Sequence, residues 1–445
     1  MQVKVSQRAA RRGRRTQPSV VSNRYSVFVI AGIYACAEAL HFRINTVTQL
    51  AFAACLAVMC FVTAFLTPVF HRVALTVAIG VLSYSLFYSQ PWIFGDKPNS
   101  WLLGDALTLV VIAVAIVAST SATGSGGRLD AEQDRRVQSV VLFLGLLSMG
   151  IAGLLGTTQF TGIVRFRPPT TLLIAFLGLY LFRHIRSRSS FGVLHLGAWG
   201  VVTAFALFSG FRTSLLQIGV TVVLVLFFSL RNGQSARFVA RSLVLLTLII
   251  SIGLTATGPA PVFQAVESIA ASSRLDLLGS SGGGLDESTL GRFVEASETF
   301  DALTSERGSI GVLVGAGNGA YYVPTDANTR HAADGEGRFH AVHLGPVRVI
   351  FRYGLIGLVA HLGFLGLIFK RHWSPAQLGA EESVLALLLV AVIGIDFLAF
   401  NPLNQFHNGV IAGWLIGSLI RRVPQKDTQA VFPTPIDLRR RLSPR

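Results

Sequence analysis

The sequence predicts an all-α polytopic membrane protein of about twelve transmembrane helices, with a large, partly helical outer loop between helices nine and ten. Three observations carry that prediction. Of 445 residues, 51% are hydrophobic and only 13% are charged, where a soluble chain carries about 25% charge. The mean hydropathy is +0.58. Apolar runs near the roughly 17–25 residues that a membrane helix needs recur along the chain.

The runs fall in order at 25–40, 46–66, 69–88, 101–119, 137–155, 170–182, 191–208, 213–230, 238–256, 344–369, 383–400 and 407–420. The sixth and twelfth are short, as re-entrant or tilted helices are. This divides the chain into a basic tail (1–24), helices one to nine (25–256), an outer loop (257–343), helices ten to twelve (344–420) and a second basic tail (421–445). With both termini placed in the cytoplasm, most of the 38 Lys and Arg residues fall on the cytoplasmic side, as the positive-inside bias requires. The net charge of +16 is therefore a matter of topology and of tails such as "RAARRGRR" and "IDLRRRLSPR" meeting anionic membrane lipid. A nucleic-acid partner is excluded, because that needs the charge gathered on one soluble face. "RRGRRTQ" faintly resembles a twin-arginine signal, but the first apolar run continues the alternation of spans and reads as an uncleaved helix. Cys36, Cys55 and Cys60 all lie in the first two spans, so the outer loop has no disulfide framework or thiolate metal site.

The outer loop is too long for a passive connection. It carries eleven of the 22 acidic residues, five arginines and no lysine. "DESTLGRFVEASETFDALTSERG" predicts a helix in which Leu290, Phe293, Phe300 and Leu303 return to one face. "GAGNG", Gly315 to Gly319, has no βαβ unit around it. It therefore reads as a tight turn that lets backbones pack closely, not as a nucleotide loop.

Arginine dominates the outer side, where Lys97 is the only lysine. Arg165 and Arg167 precede helix six, Arg212 precedes helix eight, Arg292 lies in the loop helix, and Arg348 and Arg352 open helix ten. Guanidinium forks onto phosphate oxygens and sheds water more readily than ammonium. For any one arginine, lipid head groups or pairing with Asp105 or Asp396 is an equal alternative; for the set, an anionic ligand at the outer boundary is expected. Gly345-Pro346 predicts the start of helix ten, since Pro suits the first helical position. Arg348 and Arg352 then share a face four residues apart, beside an N-terminus whose free N–H groups also favour anions. His343 lies just outside, with an ordinary pKa near 6.5 that suits proton transfer.

Three stretches resemble the O-antigen ligase and O-antigen polymerase superfamily of bacterial envelope proteins: "SGFRTSLL", "GRFVEASETF…GSIGVLVGAGNGAYY" and "HAVHLGPVRVIFRYGLIGL". His343 stands eleven residues before Gly354, as the family's histidine stands before its Gly-Leu-x-Gly. The resemblance implies a bacterial inner-membrane glycosyltransferase, acting on a polyprenyl-pyrophosphate-linked glycan and an acceptor glycan or glycolipid. It implies that Arg212 and Arg292 hold the pyrophosphate, with Arg348 or Arg352 assisting, and that His343 orients or deprotonates the attacking hydroxyl with inversion at the anomeric carbon. Arg165 and Arg167, before helix six, are further pyrophosphate candidates. No cofactor and no metal are implied, and no divalent-metal carboxylate motif lies near the site. Where the family has Asn after the histidine this chain has Leu344, so His340 stands as the alternative base. Polymerase and ligase differ only in the acceptor, which no residue here identifies.

Two other readings compete. A GT-C type polyprenyl-phosphate-sugar transferase carries an acidic motif in its first outer loop, where this chain has "HFRIN" with only Glu38 nearby. A transporter or flippase is expected to show repeated halves or broken charged helices near the midplane; no repeat is present.

Overall fold

The computed structural model describes residues 25–40, 58, 72–120, 128–157, 170–187, 193–208, 212–234, 287–325, 337–340, 342, 344–399 and 406–421. Among these the regular structure is all helix, joined by turns and loops, with one isolated antiparallel bridge between Tyr322 and Phe339. The helices are α1 (Ser26–Leu40), α2 (Arg72–Tyr88), the single turn α3 (Pro91–Phe94), α4 (Asn99–Thr120), α5 (Arg128–Thr157), α6 (Thr170–Ser187) and α7 (Val193–Phe208). They continue with α8 (Arg212–Arg231), α9 (Glu287–Val314), α10 (Gly345–Gln377), α11 (Glu381–Ala399) and α12 (Phe406–Ile420).

Among the described residues, Asn99–Thr120, Thr213–Arg231 and Gly345–Gln377 are long and apolar enough to cross a membrane, at 22, 19 and 33 residues. Ser26–Cys36, Arg72–Tyr88 and Asn408–Ile420 are shorter apolar helices. Three such helices do not amount to the expected twelve spans. Of the expected runs, 238–256 lies outside the described residues, as does 46–66 except for residue 58. Apart from α3 and α9, the observed helices coincide with apolar runs, α5, α6 and α10 extending past theirs, as a run that must satisfy its own backbone in lipid has no alternative to helix.

The main core joins α1, α4, α5, α6, α7, α8, α10, α11 and α12, with Phe28, Phe176, Trp199 and Trp414 wholly buried. The tightest seam joins α4 and α12. Gly409, Gly413 and Gly417 recur every fourth residue of α12, and each lies against the α4 backbone or a side chain of Val111, Ser119 or their neighbours. A Cβ on Gly413 would stand 2.5 Å from the Ala115 Cβ and 2.6 Å from the Ile112 carbonyl oxygen. Small residues at this spacing are how membrane helices approach closely. Gly413→Val should therefore overpack the seam by about 1–3 kcal/mol, read as a lower melting temperature and a loss of monodisperse protein in detergent. Gly394→Ala, at a glycine with nothing within 4 Å of an added Cβ, should leave both unchanged.

The segment between helices nine and ten of the expected layout contains the helix that its periodicity predicts, extended to Val314 and broken at Gly308 (φ 60°). Leu303 is buried and Phe300 packs beside it, but Phe293 is 60% exposed. The expected face is thus only partly correct: Phe293 points away from the seam against α10. The Leu290 side chain lies outside the described residues.

Candidate functional site

The site begins with a break in α10. Pro346 sits in the first turn as expected, and Arg348 and Arg352 follow on one face. At Gly354 the backbone leaves the helix (φ 67°, ψ −172°). At 33 residues α10 would run about 50 Å if straight, well beyond the roughly 30 Å of hydrocarbon, and the break separates its arginine-bearing turns from the rest. Only glycine fits here: φ is positive, and a Cβ would strike the Leu313 carbonyl.

A broken helix leaves carbonyls without partners, and the "GAGNG" loop supplies them. Ala316 N–H donates to Phe351 O (2.7 Å) and Gly317 N–H to Arg352 O (2.9 Å). Gly315, at φ 84°, lies against the Arg352 and Tyr353 backbone, where no side chain would fit. Asn318 then closes the end of α2, donating from its backbone to Tyr88 O (2.8 Å) and from its amide to Ser85 O (3.2 Å) and Ser89 Oγ (2.9 Å). Tyr353 Oη donates to Asn318 Oδ1 at 2.9 Å. The loop is therefore the tight packing turn that its sequence predicts. Its N–H groups hold protein acceptors and form no phosphate cradle.

The last donor of the loop reaches the centre of the site. Gly319 N–H donates to Asp105 Oδ2 at 2.8 Å. On its other oxygen Asp105 receives Arg352 Nη1, in a short contact, and Arg348 Nη2 at 3.4 Å. All three charged side chains are buried, Asp105 at 5% exposure and each arginine at 3%. His340 completes the group: its Nδ1–H donates to Ala320 O (3.0 Å) and its Nε2 accepts from Arg352 Nη2 (2.9 Å). That assignment is forced, because a carbonyl cannot donate and a guanidinium cannot accept. Trp101 lies parallel on the imidazole, with centroids 4.8 Å apart.

Burial, then the Arg352 charge, push the His340 imidazole down to about 3, against opposing pulls from Asp105 and the Ala320 carbonyl. His340 is thus neutral and has both nitrogens engaged, so it orients Arg352 and offers no lone pair to an incoming hydroxyl. Its folded pKa lies below the unfolded value, so the unfolded chain takes the proton first as pH falls. The stability it contributes is complete above about 6.5 and declines as pH drops toward its folded value. Melting temperatures measured from about pH 8 to pH 5 should fall less steeply for His340→Gln than for the unaltered chain. Parallel curves would contradict this.

The charges do not balance. With His340 neutral, two guanidinium groups face one carboxylate, and the cluster carries one excess positive charge. Among the described residues, Arg348 Nε and Nη1 and Arg352 Nε are buried with no hydrogen-bond acceptor. Uncompensated buried charge costs several kcal/mol, so the arrangement suits an anion that takes up those N–H groups. Among the described residues no group of three or more His, Cys, Asp or Glu could hold a metal ion.

Of the residues expected at the site, Arg348, Arg352 and His340 come together. Arg348 and Arg352 pair with Asp105, the partner held open as an alternative for them, yet one carboxylate does not neutralise both. Arg292 lies half-buried on α9, and among the described residues no hydrogen bond or ion pair joins it to the cluster. Arg212 is the first residue of α8, with its side chain outside the description; His343, Arg165 and Arg167 lie outside it altogether. Gly319, Ala320 and Trp101 join the site from afar in the sequence, and only the "GAGNG" turn hints at them. No protein-family model matches the chain, and a search of curated proteins finds no match.

Proposed function

We propose that the chain is a membrane glycosyltransferase that moves a glycan from a polyprenyl pyrophosphate to an acceptor sugar hydroxyl at the outer face of the bacterial inner membrane. The polymerase or ligase type is meant, with about twelve spans, both termini cytoplasmic and the large loop outside. One observation supports this above the others: among the described residues, two buried arginines share a single carboxylate and keep three nitrogens without acceptors. Forked, desolvated guanidinium donors suit a diphosphate that gains negative charge as its bond to the sugar breaks.

The chemistry is a single displacement. The acceptor oxygen forms a bond to the anomeric carbon, the carbon–oxygen bond to diphosphate breaks, and the pyrophosphate leaves with the electron pair. Arg348 stabilises that charge, while Arg352 is fixed by Asp105 and His340 and aligns the cluster. His343, one residue before the N-cap Leu344, receives the hydroxyl proton; Arg212 and Arg292 grip the outer phosphate. Those last three roles come from the family resemblance.

The test is purified protein given a lipid-linked oligosaccharide in EDTA, with polyprenyl pyrophosphate release as the readout. Release is expected, and it should be lost in His343→Ala and Arg292→Ala while both variants still fold. Full activity in both would remove their assignments, and movement of the intact lipid-linked glycan without bond cleavage would replace the transferase by a transporter.

A further inference from the structure

The second half of α9 differs in kind from the first. Every charged residue of α9 lies between Glu287 and Arg307. From the break at Gly308, residues 308–324 carry no charge at all. Arg307 marks the boundary: its guanidinium donates to the Ile93 and Phe94 carbonyls and lies over the Phe94 ring at 5.5 Å. Beyond it Val312 and Val314 pack against the protein, whereas Ile310 and Leu313 stay 71% and 50% exposed. An exposed apolar pair on a charge-free segment marks a contact face.

The depth of that face follows from α10. The Leu313 carbonyl lies where a Cβ of Gly354 would stand, so Leu313 and Gly354 are level. From there α10 exposes Ile356, Val359, Leu362 and Leu367 before it reaches Lys370 and Arg371. Between Gly354 and Lys370 a helix rises about 24 Å, less than the roughly 30 Å of hydrocarbon. With Lys370 at one rim of a spanning α10, Gly354 and Leu313 therefore lie inside the hydrocarbon, and tilting the helix puts them deeper. The turn that follows suits that depth. Irregular backbone inside a bilayer has to be buried in protein with its polar groups paired. Residues 315–320 are all buried. Their N–H groups donate in turn to Gly311 O, Phe351 O, Arg352 O, Tyr88 O, Asp105 Oδ2 and Gly317 O, where a surface loop leaves such groups to water.

We infer that residues 308–320 form a re-entrant membrane segment, in which Ile310 and Leu313 rest against acyl chains of the leaflet on the Arg348 side. Gly319 of this segment holds Asp105, so the lipid contact and the arginine cluster belong to one connected piece. The inference rests on α10 spanning the membrane and not on the transferase reading. Full-length protein carrying Cys36→Ser, Cys55→Ser and Cys60→Ser would receive one cysteine at a time, labelled with bimane and reconstituted in phosphatidylcholine vesicles. Ile310→Cys and Leu313→Cys are the tests, with Ser305→Cys as the aqueous reference and Val359→Cys as the lipid reference. All four positions are exposed in the protein, so quenching reads the surrounding medium. Lipid brominated along its acyl chains should quench at 310 and 313 as strongly as at 359, while aqueous iodide quenches only at 305. Iodide quenching at 310 and 313, with lipid quenching kept at 359, overturns the re-entrant segment and leaves the transferase standing. Iodide quenching at 359 as well removes the spanning α10 and overturns both readings. Quenching by neither at 310 and 313 assigns that face to a contact between copies of the chain and overturns the lipid contact. Lipid quenching at both positions without any pyrophosphate release sinks the transferase alone.

Discussion

Asp105→Asn should prevent the chain from folding stably. The substitution keeps size and shape but removes the only carboxylate that the buried arginines share among the described residues. Two guanidinium groups at 3% exposure would then lack any anionic partner among the described residues, and breaking a buried pair in this way costs about 3–5 kcal/mol. The Gly319 N–H bond could survive on the amide oxygen, so the loss would be one of charge and not of shape. Fluorescence-detected size exclusion should show little monodisperse protein. Charge is the cause if folding returns when Arg348→Gln and Arg352→Gln are added to Asp105→Asn, since replacing a whole buried ion cluster by neutral groups is often harmless. Failure of that triple variant to recover would point to lost packing instead.

Arg348→Gln should act in the opposite sense on stability and strongly on activity. It leaves Asp105 with Arg352 alone, a balanced pair still aligned by His340. The folded protein should melt at the same temperature or higher, since the excess buried charge is gone. Release of polyprenyl pyrophosphate should nevertheless fall by about 10²–10³-fold, the scale seen when one preorganised group that stabilises developing charge is removed. A stabilised but inactive variant is the signature of a residue kept for function against stability. Arg348→Lys should recover only part of the rate, because an ammonium cannot fork onto two phosphate oxygens.

Much of the helical layout is legible in the apolar runs, and the α10 start is legible in Gly345-Pro346. The four-residue spacing of Arg348 and Arg352 likewise places both on one face before any tertiary information. What periodicity cannot supply is the partner. Asp105 and Arg352 are 247 residues apart, and nothing local marks Asp105 as more than a deep acid. The turn Pro91–Phe94 is too short to show a period. Phe293 fits the apolar face of α9 by spacing, yet among the described residues it stays 60% exposed. The sequence ranks His343 first by its spacing to Gly354 and keeps His340 as the alternative; only the contacts to Ala320 and Arg352 show that both His340 nitrogens are engaged. The Gly409–Gly413–Gly417 spacing, by contrast, is a plain signal that apolar periodicity alone passes over.

The most direct test of the excess buried charge is the thermal shift produced by inorganic pyrophosphate on the full chain in detergent. A ligand that binds only the folded form raises its stability by RT ln(1 + [L]/Kd). The melting temperature of the unaltered protein should rise with pyrophosphate concentration, and that of Arg348→Gln should not. No rise in the unaltered protein, or the same rise in both, would contradict an anion site built on Arg348.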